Sequence, residues 1–117
     1  MLYNFSNVIK NHNHTIITAV LVTAGCVFGY GLETLLVVGG FWFGREHSQA
    51  EYRYMKLKGI NRSNLGFFDG FRKEAWNKDS LINDLVLPII VGVIIVVGSF
   101  LHFYITQAIF MLKSIII

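Results

Sequence analysis

The sequence of 117 residues has one proline, one cysteine and few charges, with 15% Asp, Glu, Lys and Arg against 54% hydrophobic residues. Cys26 alone forms no intramolecular disulfide, so a cross-linked scaffold is excluded and redox compartment is left open. The shortage of charge excludes an ordinary soluble domain of this length, whose small core needs a polar shell that these residues do not supply. A nucleophile–base pair, a phosphate-binding loop and a complete metal-ligand set are also missing. No catalytic residue, cofactor or metal is therefore expected, and the chain does not read as an enzyme.

What is present is apolar sequence in two long runs. Residues 16–43 contain one ionisable side chain of consequence, Glu33. As a helix they would run ~42 Å, against a hydrocarbon core of ~30 Å. Residues 85–101 carry nothing more polar than Ser99. Hydrocarbon forces the backbone to satisfy its own hydrogen bonds, so each run is expected as a helix. The expectation is an all-α membrane protein with two transmembrane helices in a hairpin and a partly helical amphipathic loop. It forms one membrane domain, 1–117, divided into an interfacial segment (1–15), a first span (16–43), a loop (44–80), a second span (81–110) and a tail (111–117). Thr-Ala-Gly-Cys at 23–26 is similar to a lipoprotein signal. Thr23 stands where a large aliphatic residue belongs, however, and apolar sequence continues, so an uncleaved anchor is the reading.

Charge placement sets the orientation. Eight of the ten Lys/Arg residues lie between the two runs, leaving only Lys10 and Lys113 outside. This predicts a cytoplasmic loop with both termini on the outer side of the membrane, which is the periplasmic side if that membrane is a bacterial inner membrane. Five acidic side chains reduce the loop to a net +3, which argues against nucleic acid as a partner. Phe41, Trp42 and Phe43 read as one interfacial belt, and His102, Phe103 and Tyr104 as the other. Phe43, Ala50, Tyr54 and Leu57 fall at helical spacings, which predicts that the first helix continues to about Leu57. Phe67, Phe68, Phe71 and Trp76, mixed with Arg72 and Lys73, suit the headgroup level. His12 and His14 read as solvated, His47 and Glu51 as an i, i+4 pair on a solvated helix, and Asp79 or Ser80 as the N-cap of the second span.

Gly25, Gly29 and Glu33 follow one another at four-residue intervals and share a face if the helix is continuous. Gly40 and Gly44 repeat the spacing. Small residues let helices approach closely in lipid, so these five positions are the expected helix-packing site, with the bilayer, further copies of the chain or other membrane subunits as partners. Hydrocarbon disfavours a charged carboxylate, which points to a neutral Glu33 bonded across a helix contact, or alternatively to a proton or ion site. His102 lies ~26 Å above the inner interface, too far to meet Glu33, which stands ~15 Å above it. Ser99 is nearer, and Glu33 of another copy nearer still.

Gly44 to Tyr54, G-R-E-H-S-Q-A-E-Y-R-Y, resembles a motif of small two-span inner-membrane proteins of tailed bacteriophages. Asp79 to Pro88, D-S-L-I-N-D-L-V-L-P, is similar to the start of their second span. The resemblance covers about 39–97. It implies a two-span layout in the host inner membrane and, by size and span number, a holin-like role. No catalytic residue carries over. The second expectation, from a different class, is a non-catalytic accessory subunit of a larger membrane assembly.

Overall fold

The computed structural model describes residues 12–117, and over these it is helical with no strand. Most of the segment 1–15 lies outside the described residues. Three helices dominate: α1, Asn13–Val27; α2, Gly31–Lys58; and α3, Lys78–Ile116. Three 3-10 turns, Arg62–Asn64, Asp69–Phe71 and Lys73–Ala75, join α2 to α3.

The apolar run 16–43 is not one helix. It is divided at residues 28–30, where Gly29 takes φ +83°. Tyr30 N–H donates to Gly25 O (2.7 Å) and Gly29 N–H to Cys26 O (3.1 Å). These two bonds are the Schellman pattern, which uses a left-handed glycine to satisfy the last carbonyls of a helix. The chain can then reverse because Gly25 and Gly31 lack side chains. A Cβ on Gly25 would collide with Thr34, and one on Gly31 with the Cys26 sulfur. α1 and α2 therefore form an antiparallel hairpin, and the expected first span, 16–43, is corrected to a run divided between two helices.

α2 then runs on through Lys58, as the spacing of Phe43, Ala50, Tyr54 and Leu57 predicts. It stops at Gly59, φ +64°, where Ile60 N–H closes on Met55 O (3.1 Å). Lys56 and Lys58 in the last turn face the negative end of the helix dipole.

α3 begins under an Asn77 cap, whose side chain accepts from the N–H groups of Asp79 and Ser80. The cap is thus Asn77, rather than Asp79 or Ser80. Residues Leu81–Val86 adopt π-helical turns just ahead of Pro88. Proline has no N–H to return to the preceding turn, and the wider turn absorbs that mismatch.

Packing follows four-residue rows. The buried positions are His14, Thr18 and Val22 on α1, then Val38, Trp42, Glu46, Ala50 and Tyr54 on α2. On α3 they are Pro88, Gly92 and Val96, with Leu85 three residues ahead of that row. Such a row drifts ~40° per step around a helix at 3.6 residues per turn. The upper part of α2 accordingly faces the other helices, with Val38 and Trp42 against Leu85. Its lower part, Ala50 and Tyr54, faces Ala75 and the 3-10 turns.

Among the described residues α3 is the one helix long and apolar enough to cross a membrane. Only 22% of its most apolar window is buried, so it is not the enclosed core helix of a soluble domain. At 15 residues α1 reaches ~22 Å, short of the hydrocarbon thickness. α1 starts at the same end of the bundle as α3, with His14 beside Asp84. The hairpin returns the start of α1 to the loop end, whereas a single helix over 16–43 would place it opposite the loop.

Candidate functional site

At the loop end of the bundle, polar side chains from all three helices meet on the rows that otherwise bury apolar groups. Glu46 is 1% exposed. Its carboxylate accepts from Arg45 Nη1 (2.9 Å) and from Ser80 Oγ (2.8 Å). Ser80 also lies 3.3 Å from Asp84 Oδ2, but it has one proton and the nearer Glu46 receives it. His14 Nδ1 stands 2.9 Å from Asp84 Oδ1. A carboxylate only accepts, so the His14 Nδ1 carries the hydrogen. Trp42 Nε1 donates to Thr18 Oγ1 (2.8 Å), and the His14 ring packs 4.2 Å from the Trp42 ring.

The result is a chain of contacts, Arg45–Glu46–Ser80–Asp84–His14, that ties α2 to α3 and α3 to α1. It is a clamp, with the hydroxyl of Ser80 held between two carboxylates. His14 is thus buried rather than solvated, and Trp42 packs inside the bundle rather than in a belt. Thr18, Glu46 and Asp84 take contacts that the sequence by itself does not assign. The available signal was the i, i+4 pairing of polar groups in each helix: His14/Thr18, Trp42/Glu46 and Ser80/Asp84.

The expected packing residues fall elsewhere. Gly25 serves the contact between α1 and α2, Gly29 forms the turn, and Glu33 lies in the first turn of α2. They therefore do not share one helix. Gly40 and Gly44 face open space. Glu33 is exposed and lines a groove of about 370 Å³ between the hairpin tip and α3, with Cys26, Leu32, Val96, Ser99 and Phe103. By residue count Glu33 stands level with Ile95, about one turn below Ser99 on α3. From residue 101 onward every side chain of α3 is exposed.

Below the clamp, the 3-10 turns cover α2. His47 and Glu51 are 3.7 Å apart, and Gly70 sits against both, close enough that a Cβ there would lie 2.6 Å from each. The His47 ring packs 4.4 Å from Phe71, so the pair is covered rather than solvated. Arg53 Nε donates to Ala75 O, and Trp76 Nε1 to Gly70 O, each at 2.8 Å.

Asp69 closes the turn by accepting from Gly66 N–H (2.7 Å) and Arg72 Nε (3.0 Å). The Gly66 N–H, followed by Arg72, holds its carboxyl below the usual carboxylate range. The folded turn thus keeps Asp69 ionised to lower pH than the unfolded chain does. Its stabilisation is fully present above the unfolded value of ~3.9 and is lost as pH falls through the lower folded value. Protection of the Gly66 amide, taken against an unstructured peptide at the same pH, should hold at about pH 5 and fall below about pH 4. Asp69→Asn should remove that acid dependence, because the amide still accepts but carries no charge. If Asp69→Asn keeps the same acid dependence, the turn is not governed by Asp69.

No protein-family model, curated protein or solved structure matches the chain, so its fold and site stand on these residues and their geometry.

Proposed function

We propose that this is a non-catalytic integral membrane protein that acts by lateral assembly with copies of itself in a bacterial inner membrane, with a holin-like permeabilising role. In this reading α3 crosses the bilayer, the α1–α2 hairpin enters from the cytoplasmic side and turns back, and the basic loop is cytoplasmic. The hairpin tip, level with about Ser99, stands ~21 Å above Leu85, within a ~30 Å core. The phage-type resemblance at 44–54 and 79–88 supplies the holin-like expectation.

The observation that carries the assembly reading is Glu33. It is exposed ~15 Å above Phe43, where lipid tails offer it no partner. A second copy covering the groove beside Ser99 would remove it from hydrocarbon, and the exposed Gly40/Gly44 face allows close approach.

Native mass in nanodiscs, measured together with dye release from cells expressing the chain alone, tests this. The expected result is a defined oligomer and leakage. Glu33→Leu should weaken the oligomer about three-fold, since interhelical bonds of this kind average ~0.6 kcal/mol. A monomer without leakage would overturn the reading and favour the accessory-subunit alternative, with a different chain over the groove.

A further inference from the structure

One exposed stripe of α2 changes chemistry along its length. Val37, Phe41, Arg45, Ser48 and Tyr52 follow at intervals of three or four residues and therefore lie on one face. Val37 and Phe41 are exposed, as lipid-facing groups would be. Within about one turn the stripe becomes polar, and a shallow concavity opens there, lined by Arg45, Ser48, Gln49, Tyr52 and Arg53. We infer that this concavity binds the phosphate of an anionic lipid headgroup at the cytoplasmic surface of the bilayer. The inference rests on the membrane reading of α3.

Counted from Phe43, Arg45 lies two residues below, ~3 Å, Ser48 five, ~8 Å, Gln49 six, ~9 Å, and Arg53 ten, ~15 Å. The headgroup layer begins where the hydrocarbon ends and is about 5–8 Å deep on each side. Arg45 and Ser48 therefore lie within it and Gln49 at its edge. The long Arg53 side chain leans back toward it from below, as helical side chains point toward the N-terminus.

The donors fit as well. A guanidinium carries five N–H donors, of which Arg45 commits Nη1 to Glu46. Arg53 is held from one side by its Nε bond to Ala75 O, so it is positioned before any ligand arrives. A phosphate in the concavity would meet the partly exposed Arg45 guanidinium, with the Ser48 hydroxyl, the Gln49 amide and the Tyr52 phenol around it and the Arg53 charge beside it. Within the lining set the charges are two arginines. Glu46 offsets one of them but lies buried, about 100° around α2 from Arg45.

The test uses the full chain in nanodiscs of phosphatidylcholine with one-third phosphatidylglycerol, followed by native mass measurement of retained lipid. Phosphatidylglycerol should be enriched about five-fold over its share, as expected for one uncompensated cation near an anionic surface. Gln49→Glu is the informative variant, because Gln49 makes no side-chain bond in the fold and the change puts a carboxylate among the donors. It should abolish the enrichment while helicity stays unchanged. Enrichment that survives Gln49→Glu would place the lipid elsewhere and overturn the site. So would saturation by inorganic phosphate in pure phosphatidylcholine discs without any phosphatidylglycerol enrichment, since that would identify a free-phosphate site. Extraction from phosphatidylcholine discs by carbonate reports separately on the membrane reading. A chain that stays embedded without enriching phosphatidylglycerol refutes only the headgroup site.

Discussion

Arg45→Ala should destabilise the folded chain by about 3 kcal/mol, the low end of what stranding a buried charge costs. Glu46 is 1% exposed, and its carboxylate has two partners, Arg45 and Ser80. Removing Arg45 leaves a buried anion with one neutral donor. The reverse change is milder, because the Arg45 side chain is 38% exposed and can turn to water when Glu46 is lost. Glu46→Ala should therefore cost about 2 kcal/mol, from lost charge-assisted bonds and a small void. Glu46→Gln should cost less again, since the amide still accepts from Ser80. Unfolding by SDS titration in mixed micelles gives this order directly. Equal losses for Arg45→Ala and Glu46→Gln would show that charge at Glu46 does not hold the helices together.

The sequence and the structure agree best where one helix can be judged by itself. The extension of α2 to Lys58 was legible because Phe43, Ala50, Tyr54 and Leu57 mark a face, and a face needs no knowledge of its partner. A long apolar helix after Leu85 was legible from the unbroken apolar run, but its length was not: α3 continues to Ile116 through the residues expected as a tail, 111–117. The division of residues 16–43 was not. Gly25-x-x-x-Gly29 specifies small side chains at one spacing, and that serves equally a helix packing face or a helix end. Only the positive φ of Gly29 separates the two, and spacing carries no sign of φ.

The clamp was illegible for a related reason. His14, Thr18, Trp42, Glu46, Ser80 and Asp84 each sit near an apolar boundary, where a polar side chain ordinarily meets water or headgroups. Their satisfaction depends on α1 lying beside α3, which depends on the turn at Gly29. One unread backbone angle thus concealed both the hairpin and the network it creates. Glu33 shows the opposite case. Its depth was readable from residue counts, which put it level with Ile95, and that count is the same whether the preceding residues continue the helix or reverse it. The groove it shares with Ser99, about one turn higher, was not readable.

Gly92→Leu should be the most damaging single change in α3, and it separates a folded three-helix unit from two independent spans. Gly92 is buried where the three helices meet. A Cβ there would collide with Leu35 of α2 and come within 3.4 Å of Thr18 and 3.7 Å of Val22 on α1. Even one added methyl group in a packed site of this kind costs ~1–3 kcal/mol, and a leucine exceeds that because three more carbons have no space. The hairpin should then separate from α3. Hydrogen exchange should quicken across residues 14–24 and 32–40 while α3 itself stays protected, since its own backbone bonds do not depend on the contact. Gly98→Leu is the matching control, because nothing lies within 4 Å of a Cβ at that position. It should leave exchange unchanged. If residues 16–43 instead cross the bilayer as one helix, position 92 has no such close neighbours, and the two variants should behave alike. Equal exchange in Gly92→Leu and Gly98→Leu would therefore refute the hairpin and, with it, the clamp that holds its base.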